Sequence, residues 1–64
     1  MAYYVIKYKS SNGNNNTNYA YTKNFLFELL DGNNILYVDY HPEEGNIKRY
    51  YPQDFDLLRK ECMI

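Results

Sequence analysis

The side chains with the greatest chemical reactivity in this sequence are few. His41 and Cys62 are its single histidine and single cysteine, and with Asp39 as an orienting acid they could form a nucleophile and its base. However, Cys62 falls on the apolar stripe of a short C-terminal helix pattern, and His41 precedes Pro42 in a turn. Neither position has the glycine-framed elbow that exposes a nucleophile. We therefore expect structural roles for both residues and a protein that is not an enzyme.

Metal and phosphate sites find equally little support in the pattern. His41, Glu43 and Glu44, with Asp39, could surround a divalent metal, but zinc sites show paired Cys/His spacings and calcium loops show a regular ladder of oxygen ligands. A glycine-rich phosphate loop with Lys and Ser or Thr is also missing from the sequence. We expect a solvated acidic turn here and no cofactor.

Tyrosine and basic residues form the pattern that can carry binding. The chain has nine tyrosines among 64 residues, and many lie beside Lys or Arg. Tyrosine is enriched at the buried centres of protein interfaces, and bases of single-stranded nucleic acid stack on exposed rings flanked by cations. The formal net charge of −1 favours a protein partner over nucleic acid. The predicted partner-binding residues, with the tyrosines expected to be exposed, are Tyr19, Tyr21, Tyr50, Tyr51, Lys48 and Arg49.

Composition adds an association with a class of genes. Tyr and Asn have A/T-rich codons, and short, biased chains of this kind are typical of bacteriophages and other mobile elements. We therefore expect a non-catalytic, phage-type module that binds and inhibits a host protein, such as a defence enzyme (an anti-CRISPR role included) or a nucleic-acid-processing enzyme. The alternative is a small single-stranded nucleic-acid-binding domain that uses Tyr, Lys and Arg on a sheet face. Self-association through an exposed strand edge is a further expectation.

Size and hydropathy limit the architecture and its location. Residues 1–64 suffice for one small domain. The mean hydropathy is −0.72, and the sequence has no apolar run long enough to predict a membrane span or a secretory signal. A single cysteine cannot form an intramolecular disulfide. These features predict a cytoplasmic protein, in the host cell if phage-encoded, without a membrane partner.

The predicted elements place it in the α+β class, as a small antiparallel β-sheet of three or four strands with a C-terminal helix packed on one face. Strands are predicted near residues 2–9, 35–41 and 46–51, because β-branched and aromatic residues alternate there. In the second of these, Leu36, Val38 and Tyr40 are expected to face the core, and Tyr37, Asp39 and His41 are expected to face outward. A helix is predicted over residues 53–61, with Phe55 and Leu58 on its apolar face.

The remaining segments are harder to interpret. Residues 10–18 are rich in Ser, Asn and Gly and predict a mobile polar loop, and residues 31–34 predict a turn. Residues 19–30 fit a strand by aromatic content, or a helix capped by Thr22 with Phe25, Leu26, Leu29 and Leu30 on one stripe. We favour the strand; the helix would give the alternative order β-α-β-β-α.

Overall fold

The computed structural model describes residues 1–32 and 34–64 and confirms the predicted α+β class. Its element order is β-β-α-β-β-α, which has one strand more than the alternative order derived from the sequence. A 3-10 turn, Pro52–Asp54, precedes the last helix. The elements are β1 (Tyr3–Lys9), β2 (Asn15–Ala20), α1 (Lys23–Leu30), β3 (Ile35–His41), β4 (Lys48–Tyr50) and α2 (Phe55–Glu61).

The four strands form one antiparallel sheet in the order β2-β1-β3-β4. Ile6 in β1 pairs with Asn18 on one side and with Val38 on the other, which fixes the register of the three longer strands. The register shifts between Lys7 and Tyr8, where one strand carries an extra residue. β1 and β3 therefore lie inside the sheet, and β2 and β4 form its edges.

The hydrophobic core lies between one face of this sheet and the two helices. Tyr4, Ile6 and Val38 on the inner strands are buried, and Leu26 of α1 and Leu58 of α2 are completely buried against them. Because side chains alternate across a strand, this burial assigns every second residue to the helix side, except where the register shifts in β3. The other face of the sheet carries no helix in the described part of the chain.

The favoured strand over residues 23–30 is wrong, because this segment forms helix α1. Thr22 caps the helix: its hydroxyl accepts a hydrogen bond from the Phe25 amide at 3.2 Å. Leu26 and Leu30, four residues apart, are then buried on one side of the helix. Burial of this leucine pair in the tertiary structure outweighs the strand propensity of the aromatic residues, so the segment is a helix.

The predicted mobile loop over residues 10–18 is also wrong in its second half, since β2 begins at Asn15. Asparagine is a poor strand former, but residues of β2 from Asn15 onward pair with β1, and Thr17 lies opposite Lys7. The hydroxyl of Thr17 accepts a hydrogen bond of 2.6 Å from Lys7 Nζ. Pairing with β1, rather than intrinsic propensity, makes this segment a strand.

The second half of the chain agrees more closely with prediction. The helix expected at residues 53–61 is present as Pro52–Asp54 and α2, with Leu58 completely buried and Phe55 half-buried against the core. β4 is shorter than the strand predicted over 46–51. Val38 is buried and Tyr40 half-buried against the core, as expected. The predicted turn at 31–34 includes Asn33, which lies outside the described residues.

Leu36 is a further correction, since 37% of it is exposed. The physical reason is the register shift, because Lys7 pairs with Tyr37 but Tyr8 pairs with Ile35. Leu36 is the extra residue of this bulge, and Ile35 packs against the core in its place.

Among the described residues no helix is long and apolar enough to cross a membrane.

Candidate binding face

The sheet face opposite the helices carries most of the aromatic side chains that the core does not use. We call it the open face. Cross-strand partners share a face, so the register assigns its members. They are Tyr3, Val5, Lys7, Thr17, Tyr19, Tyr37, Asp39, His41 and Arg49, with Tyr21 and Tyr51 just beyond the ends of β2 and β4.

One end of the open face is a cluster of four aromatic rings centred on Tyr3. The His41 ring stacks on Tyr3, with 4.8 Å between ring centroids and 11° between planes. The ring of Tyr21 lies 5.6 Å from that of Tyr3, and the ring of Tyr19 lies 6.5 Å away, both tilted. Such contacts order the rings before any partner arrives, so less side-chain entropy is lost on binding.

The other end is built around Arg49. Its Nε and Nη2 donate to the two carboxylate oxygens of Asp39 at 2.8 and 3.0 Å, and its guanidinium carbon lies 3.8 Å from the centre of the Tyr37 ring. These hydrogen bonds to the Asp39 carboxylate raise the pKa of Arg49, which stays charged. Tyr51 meets the Tyr37 ring edge-on at 6.4 Å. The charge of Arg49 is thus neutralised within the face and one side of Tyr37 is covered.

Four of the predicted partner-binding residues lie on this face. Tyr19, Tyr21 and Tyr51 are 50%, 56% and 45% exposed, and Arg49 is also exposed. The structure brings Tyr19 and Tyr21 together at the Tyr3 cluster, while Tyr51 and Arg49 lie at the opposite end. The prediction that these tyrosines are accessible is confirmed.

Tyr50 and Lys48 do not belong to the open face, and the expectation that Tyr50 is exposed is wrong. Tyr50 pairs with Val38 on the helix side and is 4% exposed. Its hydroxyl donates to Glu61 of α2 at 3.3 Å. Lys48 shares that face and donates to the same carboxylate at 3.2 Å, which raises the pKa of Lys48. Both side chains hold α2 against the sheet.

Sequence reasoning named Tyr37, Asp39 and His41 as outward-facing, which is confirmed, but it did not include them in the binding site. It also missed Tyr3 and Lys7. The signal was present in the alternation of β1, because Tyr4 and Ile6 in the core require Tyr3 and Lys7 on the opposite face. Only the register of the sheet shows that these residues meet on one surface.

The candidate reactive residues of the sequence are separated by the sheet. His41 stacks on Tyr3 at the open face, whereas Cys62 packs against the core on the helix side. Asp39, the postulated orienting acid, is paired with Arg49. Within residues 1–32 and 34–64, no three His, Cys, Asp or Glu side chains are grouped as a metal site would require.

A cleft of about 260 Å³ lies on the helix side, between the sheet and the end of α1. It is smaller than the roughly 300–1,000 Å³ of sites that enclose drug-sized ligands. Its lining residues are Ile6, Tyr8, Asn18, Leu29, Gly32 and Ile35. The cleft is separate from the open face and offers a small, largely apolar volume.

Comparisons with known proteins add no family to this geometry. No family model, no curated protein and no solved structure matches the chain.

Proposed function

We propose that this protein is a non-catalytic binding module whose open face docks on another protein. The observation that carries the proposal is the set of accessible, mutually packed rings on a sheet face without a helix in the described part of the chain. Tyrosine supplies apolar contact area and a hydrogen-bonding hydroxyl with few rotatable bonds. A face already ordered in this way loses little entropy when a partner covers it.

The proposed partner is a host protein, and the proposed effect is inhibition. Small size, Tyr- and Asn-rich composition and their association with bacteriophage genes support this part. A defence enzyme, including a CRISPR effector, or a nucleic-acid-processing enzyme is the partner class we propose. An aromatic face of this kind inhibits such an enzyme by covering a surface that its substrate or another subunit needs.

The second candidate is binding of single-stranded nucleic acid. It is favoured by the presence of Lys7 and Arg49 on the same face as the tyrosines. Two observations weigh against it. His41 stacks on Tyr3 and Arg49 covers Tyr37, so two of the ring faces on which bases would stack are occupied. Arg49 also pairs with Asp39, which reduces its attraction for phosphate.

The first experiment is affinity capture from a bacterial host lysate, with mass spectrometry of the bound proteins. A Tyr21→Ser, Tyr51→Ser double variant removes exposed rings at both ends of the open face without changing a residue of a strand. Leu57→Ser is the matched control, since Leu57 is 46% exposed and lies on α2, away from this face. We expect one host protein to be captured by the wild type and the control and lost by the double variant. Equal capture by all three proteins would contradict docking through this face.

Fluorescence anisotropy with a labelled single-stranded oligonucleotide tests the second candidate. If nucleic acid is the ligand, log K falls by about 0.7 per phosphate contact for each tenfold rise in salt, and Arg49→Gln reduces that slope. Tight binding with this dependence would replace the protein-docking proposal. Undetectable binding at low salt is the result we expect.

A further inference from the structure

The outer edge of β2 is a second interaction surface, distinct from the open face. β2 is six residues long, Asn15–Ala20, and its sequence has neither a charged residue nor a proline. Long, uncharged edge strands readily pair with other strands, and natural proteins usually block them. We infer that β2 pairs in antiparallel fashion with β2 of a second copy of this chain, which joins the two sheets into one.

The orientation of the β2 backbone follows from two hydrogen bonds. The Tyr19 amide donates to the side-chain oxygen of Asn18 at 2.9 Å, and the Lys9 amide of β1 donates away from β2, to the Asn34 carbonyl beside β3, at 2.9 Å. Tyr19 therefore belongs to a pair with Val5 whose backbone groups point away from the β1–β2 ladder. Because this pattern alternates, Thr17 and Asn15 also direct their backbone N–H and C=O groups to the outer edge.

The opposite edge of the sheet has the features that prevent such pairing. β4 is three residues long and contains Lys48 and Arg49, and Pro52 follows shortly after it. Short length, positive charge and a nearby proline are the devices by which edge strands are protected. This contrast assigns the pairing surface to β2 and not to β4.

A second copy is the occupant that this edge fits best. In an antiparallel pair centred on Thr17, Thr17 lies opposite its own symmetry mate and Asn15 lies opposite Tyr19. All three outward-facing residues of each copy are then used, and the Tyr19 amide exchanges its bond to the Asn18 side chain for one to the second copy. This gives about six backbone hydrogen bonds across the two-fold axis. The edge has no charge to repel itself, and the whole chain has a formal net charge of only −1.

Pairing of this kind places both open faces on the same side of the joined sheet, because directly opposed residues share a face. Thr17 of each copy then lies beside the two-fold axis with Tyr19 two residues from it, and the aromatic surface doubles in width. The inference rests on the β2 backbone and not on the proposed docking function. A dimer without a host partner, or a monomer that still docks through its open face, would separate the two.

Sedimentation equilibrium of the full chain tests the dimer. The wild type is expected at about twice 7.7 kDa at high concentration and to dissociate on dilution. Thr17→Pro removes the central outward N–H but none of the β1 ladder bonds. We expect it to raise the dimer dissociation constant at least about tenfold, since two symmetric hydrogen bonds are lost.

Thr17→Val is the matched control, because it also loses the Lys7 hydrogen bond but keeps the backbone N–H. It is expected to dimerise as the wild type does. A wild type that remains at 7.7 kDa up to several hundred micromolar, or a Thr17→Pro variant that dimerises as tightly as Thr17→Val, would overturn the inference.

A cysteine variant decides the matter if Thr17→Pro does not fold. In a Cys62→Ser background, Thr17→Cys places two thiols directly opposite each other, with Cα atoms about 5.5 Å apart, within the range of a disulfide. We expect a disulfide-linked dimer in a glutathione redox buffer. Asn46→Cys in the same background, near β4, should form no disulfide-linked dimer. Equal cross-linking at both positions, or at neither, would overturn the β2 pairing.

Discussion

The chain consists of two units with the same order of elements, a β-hairpin followed by a helix, and the units differ most at their outer strands. Inner strands β1 and β3 pair with each other at the centre of the sheet, and each helix buries one leucine completely, Leu26 in α1 and Leu58 in α2. The outer strand of the first unit is long and uncharged, whereas that of the second is short and basic. The two units thus contribute to the core in the same way, but they differ in the edge strand that each exposes to solvent.

This difference teaches where assembly is controlled in a domain of this size. Both units bury a helix leucine in the core, so core burial does not distinguish one surface of the protein from another as a site for a partner. The strand edges and the open face are not needed to form the core, so their residues can differ between the two units. Length, charge and proline at β4 close one edge, and their lack at β2 leaves the other available.

The largest expected effect tests the equivalence of the two units in the core. Leu26→Ala and Leu58→Ala should each lower the free energy of unfolding by about 2–5 kcal/mol, because each removes completely buried apolar volume. Leu57→Ala, next to Leu58 but 46% exposed, is the control and should change it by less than about 0.5 kcal/mol. Urea denaturation measures all three. A small loss for one leucine and a large loss for the other would show that the units do not share the core equally.

A second prediction concerns the hydrogen bond between Tyr4 of β1 and the backbone of Met63. Tyr4 is fully buried, and its hydroxyl accepts a hydrogen bond from the Met63 amide at 3.3 Å. Burial raises the pKa of Tyr4 above its ordinary value. Its contribution to stability is therefore complete below about pH 10, the ordinary pKa, and is lost as pH rises toward the folded-state pKa.

The alkaline loss from Tyr4 should reach at most about 1.4 kcal/mol per pH unit. Tyr4→Phe should be less stable than the wild type at neutral pH, by about 0.5–1.5 kcal/mol for the lost hydrogen bond, but should lose stability less steeply above pH 10. Urea denaturation at several alkaline pH values compares the two. Identical slopes would remove Tyr4 as the origin of the alkaline effect.

The smallest effect is expected at the turn of the first hairpin. The Ser10 amide donates to the Asn14 carbonyl at 2.8 Å and closes the turn, while residues 11–14 are exposed. Replacing Asn12 and Gly13 by a shorter Gly-containing turn should change the free energy of unfolding by about 1 kcal/mol or less. Thermal denaturation measures this change. A large loss would mean that the turn, and not pairing with β1, determines the structure of β2.

The sequence predicts the second unit better than the first, for physical reasons. In residues 35–61, alternation and helix signals agree with burial, so β3 and α2 are found close to their observed bounds. In the first unit, Asn15 and Asn16 resemble loop residues and become a strand through pairing with β1. Local propensity cannot reveal a strand whose stability comes from its neighbour.

The open face was predictable only in part for a similar reason. Exposure of Tyr19, Tyr21 and Tyr51 follows from there being more tyrosines than a small core can hold. Tyr50 looks the same as Tyr51 in the sequence, yet it is buried because β4 places alternate residues on opposite faces. The contact of Arg49 with Tyr37 depends on the β3–β4 register, which residue types alone do not specify.

Hydrogen exchange of the wild-type protein, followed by NMR at low and high concentration, tests the contrast between the two edges most directly. The account predicts that the Thr17 and Tyr19 amides exchange rapidly in the dilute protein and at least about tenfold more slowly in the concentrated protein, since pairing protects them. The outer-edge amides of β4 should exchange rapidly at both concentrations. Exchange at Thr17 and Tyr19 that is independent of concentration, or equal slowing at the β4 edge, would contradict the account.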